Sequence, residues 1–316
     1  MKKFLLASSI LASTAGFAAA DVTLSGSARM GIIDGFGAGS AVFTSRARVV
    51  FTLSGETDGG LAFGATFRAD NAAGANSGTA GNVFISGQFG KLSMGDVDGA
   101  AKKAVGNVSG VGLTGLGDYN EIAYLTGNED PTALYEYTIN GFGVFLSGNT
   151  TGDYSVAANY KFSNYMVGIG YEQVDAGSNM TGSAWGNDGG NRKMGFANTF
   201  INGASQFVIG ADASFGAVTA KIRYAKYDED NFDGTMAQTA ASLDYKMDAL
   251  TLTAFYSDFR GGAGYDGRDG DFYGVGAGYS LGGGAELKGG YVSRKAGHLG
   301  GGVRQNAFDV GVTFSF

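Results

Sequence analysis

Residues 22–32 read VTLSGSARMGI, and apolar and polar side chains alternate along this stretch with a period of two. Leu24, Met30 and Ile32 fall on one face, and Ser25 and Arg29 fall on the other. Alternation of this kind predicts a β-strand with one apolar and one polar face. The stretch therefore predicts a sheet whose two faces meet different surroundings.

The same period recurs along most of the chain. Further alternating runs lie at residues 46–54, 61–70, 154–162, 165–171, 207–215, 218–224, 250–256, 273–281 and 303–316. Seven short connections, such as Asn140-Gly141, alternate with eight longer ones when one strand is drawn across residues 192–215. Short turns at one end and longer loops at the other are typical of outer-membrane barrels, and a closed sheet leaves no exposed edge. The pattern predicts an all-β protein, a 16-stranded antiparallel transmembrane β-barrel.

Composition agrees with this class. Gly accounts for 57 of 316 residues, Pro occurs once, and Cys is absent. Abundant Gly disfavours long helices, and without Cys no disulfide can stabilise the chain. No run after the N-terminus approaches the 18 or so apolar residues of a membrane helix. The mean hydropathy of +0.00 is what an alternating barrel gives when its two faces are averaged.

The N-terminus has the features of an export signal. Lys2 and Lys3 precede a short apolar core, and Ala18-Ala19-Ala20 is a small-residue cleavage site. We predict a cleaved signal peptide over residues 1–20 and a barrel over residues 21–316. Without the two lysines, 20 basic and 29 acidic residues remain, a net charge of −9. This charge disfavours a nucleic-acid partner.

The longest connection between strand-like runs is residues 97–131. It carries enough apolar side chains to pack on a surface, and five carboxylates: Asp98, Asp118, Glu121, Glu129 and Asp130. Connections this long inside a compact fold are usually functional loops or linkers, and the apolar content argues against a linker. We predict a long third loop folded into the barrel, where it narrows a water-filled pore.

Basic residues concentrate on the polar face of the first three strands. Arg29, Arg46, Arg48 and Arg68 have inward parity there, and Arg223 has it on a later strand. Opposite the loop carboxylates they would produce a transverse field, and clusters of fixed charge set ion selectivity in pores. The alternative is that they are solvated lumen side chains without special partners.

Other kinds of site have weaker support. Asp96, Asp98, Asp118 and Glu121 are oxygen ligands of the kind that calcium binds, although free solvated carboxylates explain them slightly better. The single histidine, His298, has no accompanying G-x-S-x-G motif, and no nucleotide motif is present. We therefore expect a protein that is not an enzyme, with no cofactor other than possible calcium.

Several segments together carry a resemblance to a known family. They are Leu24-Ser25-Gly26, Ala28-Arg29-Met30-Gly31, Ser45-Arg46-Ala47-Arg48, GLAFGATFR at 60–68, VFISGQFGKLSMG at 83–95, Tyr124-Leu125-Thr126-Gly127, and DVGVTFSF at 309–316. The chain resembles the general-diffusion porins of alphaproteobacteria, the Rhodobacter type, over essentially its whole mature length. The resemblance implies a 16-stranded homotrimer, an inward-folded third loop and a basic cluster facing it, here Arg29, Arg46, Arg48 and Arg68.

Asp70 departs from the family pattern, because it lies where a basic residue would strengthen the cluster. Lys102 and Lys103 likewise dilute the negative charge of the loop. Both departures predict a weaker field.

The expected function is passive passage of ions and small hydrophilic solutes through a water-filled channel in the outer membrane, in contact with its lipid and lipopolysaccharide. The alternatives are a solute-specific channel and a secreted, soluble β-rich adhesin. Closure of the barrel predicts that the first strand pairs with the last, and that the amino group of a mature N-terminus at Asp21 forms an ion pair with the carboxylate of Phe316.

Overall fold

A computed structural model describes residues 21–37, 39–70, 81–126, 132–175, 203–229, 235–261, 269–296 and 302–316. Its sixteen strands are β1 (Asp21–Asp34), β2 (Val42–Glu56), β3 (Ala62–Asp70), β4 (Asn82–Gly87), β5 (Gly90–Gly95), β6 (Thr132–Ile139), β7 (Phe142–Gly148), β8 (Tyr154–Phe162), β9 (Tyr165–Val174), β10 (Ala204–Phe215), β11 (Val218–Glu229), β12 (Thr235–Met247), β13 (Leu250–Gly261), β14 (Gly270–Gly282), β15 (Ala285–Ala296) and β16 (Gln305–Ser315). Across these ranges the one α-helix is α1 (Ala100–Val105), and no helix is long and apolar enough to cross a membrane.

Each strand pairs antiparallel with its neighbours in sequence, and β1 pairs with β16 to close the barrel. The prediction of a closed sixteen-stranded antiparallel barrel is confirmed. Gly31 lies opposite Gly311 at the seam. An added Cβ on Gly311 would lie 2.1 Å from the carbonyl oxygen of Met30, so the two strands meet here only because this side chain is absent.

The predicted ion pair between the chain ends is wrong. Phe316 exchanges backbone hydrogen bonds with Gly26, at 3.0 and 3.2 Å, whereas Asp21 lies opposite Ser54 of β2. Asp21 and Gly26 are five residues apart, which is about 17 Å along a strand. The stagger of the closing strands therefore separates the termini.

The two faces of the barrel differ as the alternation predicts. Leu24 is 62% exposed, while Gln206, on the opposite face, is 0% exposed. Outward aromatic rings meet where β8, β9 and β10 turn: Tyr160 stacks on Phe162, Phe162 on Tyr165, and Tyr165 meets Phe215 edge-on, with centroids 5.3–5.6 Å apart. Such rims are typical of the membrane interface of barrels. An apolar outer face and a polar inner one invert the arrangement of a soluble protein.

The largest group of buried apolar side chains lies between the connection after β5 and the inner wall. From the connection it includes Ala100, Ala101, Ala104, Val105, Val108, Val111, Leu116, Tyr119, Ile122, Ala123, Tyr124 and Leu125. From the wall it includes Val208, Ala225, Met236, Phe255, Phe272 and Val292. The connection thus supplies much of the apolar core that the alternating strands cannot form by themselves.

Candidate functional site

We call residues 96–126 the pore segment. It leaves β5 and forms α1 almost at once. Gly99, at the helix N-cap, has no side chain to satisfy the first amides. Serine hydroxyls of the wall accept them instead: Ser147 Oγ accepts from Ala100 N and Ser155 Oγ from Ala101 N, both at 2.9 Å. The wall therefore caps this six-residue helix, which is too short to be stable alone.

Arg223 of β11 receives the other end of the helix. Its guanidinium donates to the carbonyl oxygens of Gly106 at 3.0 Å and Asn107 at 3.3 Å, and it pairs with Asp212 at 2.7 Å. The side chain is only 2% exposed. Arg223 has the predicted inward parity, but it lies beneath the pore segment and not against open water, so the structure assigns it an anchoring position.

The middle of the pore segment is held by two carboxylates of the wall. Asp309 of β16 accepts from Leu113 N at 2.9 Å, and from Thr114 N and Oγ1 at 2.7 Å each. Asp244 of β12 accepts from the hydroxyl of Ser109 at 2.6 Å. Charge-assisted hydrogen bonds are roughly twice as strong as neutral ones, so these residues fix the path of the backbone.

Glycines, which lack a side chain, allow the middle of the pore segment to lie close to the wall. A Cβ added to Gly290 of β15 would lie 2.5 Å from Gly112 N, and one added to Gly276 of β14 would lie 2.9 Å from the Cβ of Val111. Gly112 itself has a φ of +86°, which a residue with a side chain adopts at a cost. Glycine is therefore required on both sides of this contact.

The end of the pore segment returns along buried polar groups. Leu125 N donates to Glu172 of β9 at 2.7 Å and Ala123 N to Gln238 of β12 at 3.0 Å. Arg294 of β15 donates to the Tyr119 hydroxyl. Sequence reasoning did not single out these three wall residues. Their only signal was polarity at inward positions, which many wall residues share.

Arginines of β1, β2 and β3 form the arginine wall, which consists of Arg29, Arg46, Arg48 and Arg68. Arg29 and Arg46 lie directly opposite each other across β1 and β2. Arg48 binds Asp70 with two hydrogen bonds, at 2.9 and 3.1 Å, and Arg68 pairs with Asp70 at 3.1 Å. All four arginines are partly exposed. The structure thus brings the four predicted residues together, on strands that the pore segment mostly leaves uncovered.

The predicted acidic residues occupy different positions. Asp98 is half exposed and pairs with Lys102 at 2.7 Å. Asp118 is exposed and Glu121 is half-buried. Glu129 and Asp130 lie outside the described residues, as does His298. Three of the five predicted acidic residues therefore lie in the described part of the chain.

Two lysines reduce the charge of the segment. Burial lowers the pKa of Lys102, but Asp98, with Glu121 and Glu172, raises it by more, so that the pKa lies above its ordinary value of 10.5. Lys102 therefore remains a cation at neutral pH. Lys103 reaches Glu136 of β6 at 3.5 Å.

The calcium prediction gains no support from the geometry. Within the ranges the structure describes, no three acidic, histidine or cysteine side chains approach closely enough to hold a metal ion. Asp96, Asp98, Asp118 and Glu121 thus do not form a ligand set.

The arrangement is suited to filtering solutes. Hydrogen bonds join the pore segment to the inner face of β7 to β12 and of β15 and β16. A further bond joins it to β1, where Arg29 Nη1 donates to Leu113 O at 3.4 Å. The side of the pore segment that faces away from its apolar contact with the wall borders the lumen of the closed barrel. The segment is therefore bonded to the inner wall, and the arginine wall lies on strands that it mostly leaves uncovered.

Comparison with known proteins shows a consistent match. Residues 7–315 match the family described as Gram-negative porin. A porin of Rhodobacter capsulatus is 36% identical over 327 residues, which cover 94% of this chain and 100% of that protein. Among solved structures, one of a porin matches with a TM-score of 0.74 and 33% identity, over 94% of this chain and 100% of the other. A variant of Rh. blastica porin matches with a TM-score of 0.64 and 20% identity, over the same shares.

Proposed function

The chain belongs to the Gram-negative porin family, and from that premise we propose that its pore is narrowest between the pore segment and the arginine wall. The protein is a general-diffusion porin of the outer membrane, a water-filled channel for passive passage of small hydrophilic solutes and ions. Porins are channels and not enzymes, and the family excludes a soluble adhesin.

One observation carries the proposed position of the constriction. The backbone of residues 100–125 is bound to the inner wall at both ends and in the middle, by Ser147, Asp309 and Glu172 among others. A segment held at so many points is a fixed obstruction and not a mobile loop. Solutes must pass on the side where the arginines remain accessible.

The charges on the two sides of this opening have opposite sign. The arginine wall carries four cations and the carboxylate of Asp70, while Asp98, Asp118 and Glu121 lie on the pore segment. Fixed charges at a narrow opening bias permeating ions. Because Lys102 and Lys103 dilute the acidic side, we expect the wall to dominate and the pore to favour anions.

Reversal potentials of the triple variant R46Q/R48Q/R68Q in a salt gradient test this proposal. We expect permeability to shift from anions towards cations and conductance to rise, since three bulky charges leave the opening. The rim variant R260Q removes an exposed arginine of β13, whose side chain is 66% exposed, and it should leave the reversal potential near that of the unmodified protein. An unchanged potential in the triple variant would place the arginines away from the constriction.

The solute-specific alternative is tested in the same preparation. Flux of neutral sugars into proteoliposomes should rise linearly with concentration in a general-diffusion pore. Saturable sugar flux would favour the alternative.

We also propose a homotrimer whose contact uses the outward faces of the first strands, in a membrane that contains lipopolysaccharide. Ala28 of β1 and Ala65 and Ala69 of β3 are small and share the parity of the exposed face, which permits close approach. We infer that the loop 71–81, of which only Gly81 lies among the described residues, reaches a neighbouring subunit. Its deletion should lower the melting temperature of the trimer on unheated gels; an unchanged value would contradict the contact.

A further inference from the structure

The arginine wall is divided into two unequal halves. In one half Asp70, whose side chain is 15% exposed, binds both Arg48 and Arg68. Arg48 engages it through two parallel hydrogen bonds at 2.9 and 3.1 Å, the geometry in which a guanidinium and a carboxylate interact most strongly. One of the two positive charges of this half is therefore offset, and both guanidinium groups are engaged by the same carboxylate.

The other half lacks such a partner. Arg29 and Arg46 face each other across β1 and β2, and in the described part of the chain neither forms an ion pair with a carboxylate. The Nε atoms of both, like that of Arg68, are shielded from water and have no hydrogen-bond acceptor. Arg29 donates from Nη1 to the carbonyl oxygen of Leu113 at 3.4 Å. Asp309 and Asp118 both act on Arg29 electrostatically, but the oxygens of Asp309 already accept three bonds from the pore segment.

Two like charges directly opposite in a sheet destabilise it. Here both arginines nevertheless remain partly exposed at the proposed opening. We propose that Arg29 and Arg46 form a binding subsite for oxyanions, such as phosphate, and that Asp70 withdraws Arg48 and Arg68 from it. The inference rests on the proposed constriction, and it adds which arginines contact the permeating anion and what class of anion they favour.

The geometry favours an oxyanion over chloride. A guanidinium presents paired N–H donors that match the oxygens of phosphate or carboxylate, whereas a halide gains only from the charge. Side chains directly opposite on neighbouring strands have Cβ atoms about 5 Å apart. One tetrahedral anion can therefore accept from both guanidinium groups and screen their mutual repulsion.

Conductance in planar bilayers, measured against concentration in potassium phosphate and in potassium chloride, tests the subsite. We expect the unmodified pore to saturate in phosphate and to respond nearly linearly in chloride. R46Q should weaken the apparent phosphate affinity about tenfold, the effect of losing one charge-assisted hydrogen bond. D70N should strengthen it about two- to threefold, the effect of removing a unit charge about 6–8 Å away in water.

R48Q is the matched control for R46Q, since both remove one positive charge from the same face of β2. It should weaken phosphate affinity by no more than about threefold, because Arg48 is already occupied by Asp70. R46K keeps the charge and removes the planar fork, so it should preserve the chloride reversal potential and lose saturation by phosphate. Retained heat-modifiable trimers on gels show that each variant is folded.

Equal effects of R46Q and R48Q would overturn the subsite, because the wall would then act only as summed charge. Linear conductance of the unmodified pore in phosphate would overturn it as well. If neither R46Q nor R48Q alters conductance or the reversal potential, the proposed constriction itself fails, which is a different result.

Discussion

The substitution Asp309→Asn tests how the pore segment is held in the lumen. The carboxylate of Asp309 is 2% exposed and accepts two backbone amides, Leu113 N and Thr114 N, on different oxygens. Asparagine has the same shape but only one oxygen, and its NH2 group cannot accept a hydrogen bond. Whichever way the amide is turned, one backbone N–H loses its acceptor.

The structure sets the size of the effect. A hydrogen bond to a charged group contributes about 1.5–3 kcal/mol, and a buried donor left without an acceptor costs about 1–3 kcal/mol. We expect the attachment of residues 112–114 to weaken by about 2–3 kcal/mol. Local opening should become about 30- to 150-fold more frequent.

Asp244→Asn is the matched control. It removes the same charge from the same inner face, but the partners of Asp244 are the hydroxyls of Ser109 and Thr253, at 2.6 and 2.7 Å. A hydroxyl can rotate and accept from the new NH2 group, whereas a backbone N–H cannot. The expected loss is below about 1 kcal/mol, which corresponds to less than about fivefold faster opening.

Hydrogen exchange of the detergent-solubilised protein, followed by mass spectrometry over residues 111–116, measures the difference. Amide exchange of Leu113 and Thr114 should accelerate in D309N and change little in D244N. If both variants exchange alike, the bonds to Asp309 do not hold the segment and the reasoning is wrong. Equal conductance noise in D309N and D244N would likewise contradict the proposed role of Asp309.

Three further predictions concern single residues. Gly290→Ala should displace the segment at Gly112 and alter conductance, whereas Gly59→Ala, in an open turn, should not. Burial raises the pKa of Tyr124 well above 10.0. The contribution of Tyr124 to the free energy of unfolding is therefore complete below pH 10 and falls as the pH rises further. Melting curves of the Tyr124→Phe variant should lack this loss of stability at alkaline pH. Mass spectrometry of the purified protein should show Asp21 as the first residue.

The sequence was sufficient for the architecture because the period of two is a local property. Alternation assigns each side chain to a face, so the outward position of Leu24 and the inward position of Arg29 follow from parity alone. Residues 97–131 were recognisable as a packed segment by their apolar content. The shared location of Arg29, Arg46, Arg48 and Arg68 followed because three sequential strands are neighbours in an antiparallel sheet.

Parity does not determine the depth of a residue in the barrel or its neighbours across the lumen. Those depend on the stagger of all sixteen strands, which is why Phe316 meets Gly26 and not Asp21. The partners of the pore segment lie far away in sequence, Glu172 at 47 residues from Leu125 and Asp309 at 196 residues from Leu113.

Parity also fails to predict which of the inward arginines are accessible to water. Arg223 and Arg46 have the same parity, but only the path of the pore segment covers the first and leaves the second accessible. Asp70 looked like a missing cation in the sequence, and the register of β2 and β3 turned it into the counter-ion of Arg48. Alternation alone assigns residues to the two faces of the barrel. Which inward charges meet water depends on the closed sheet, because depth and cross-lumen contact arise only when all sixteen strands pair.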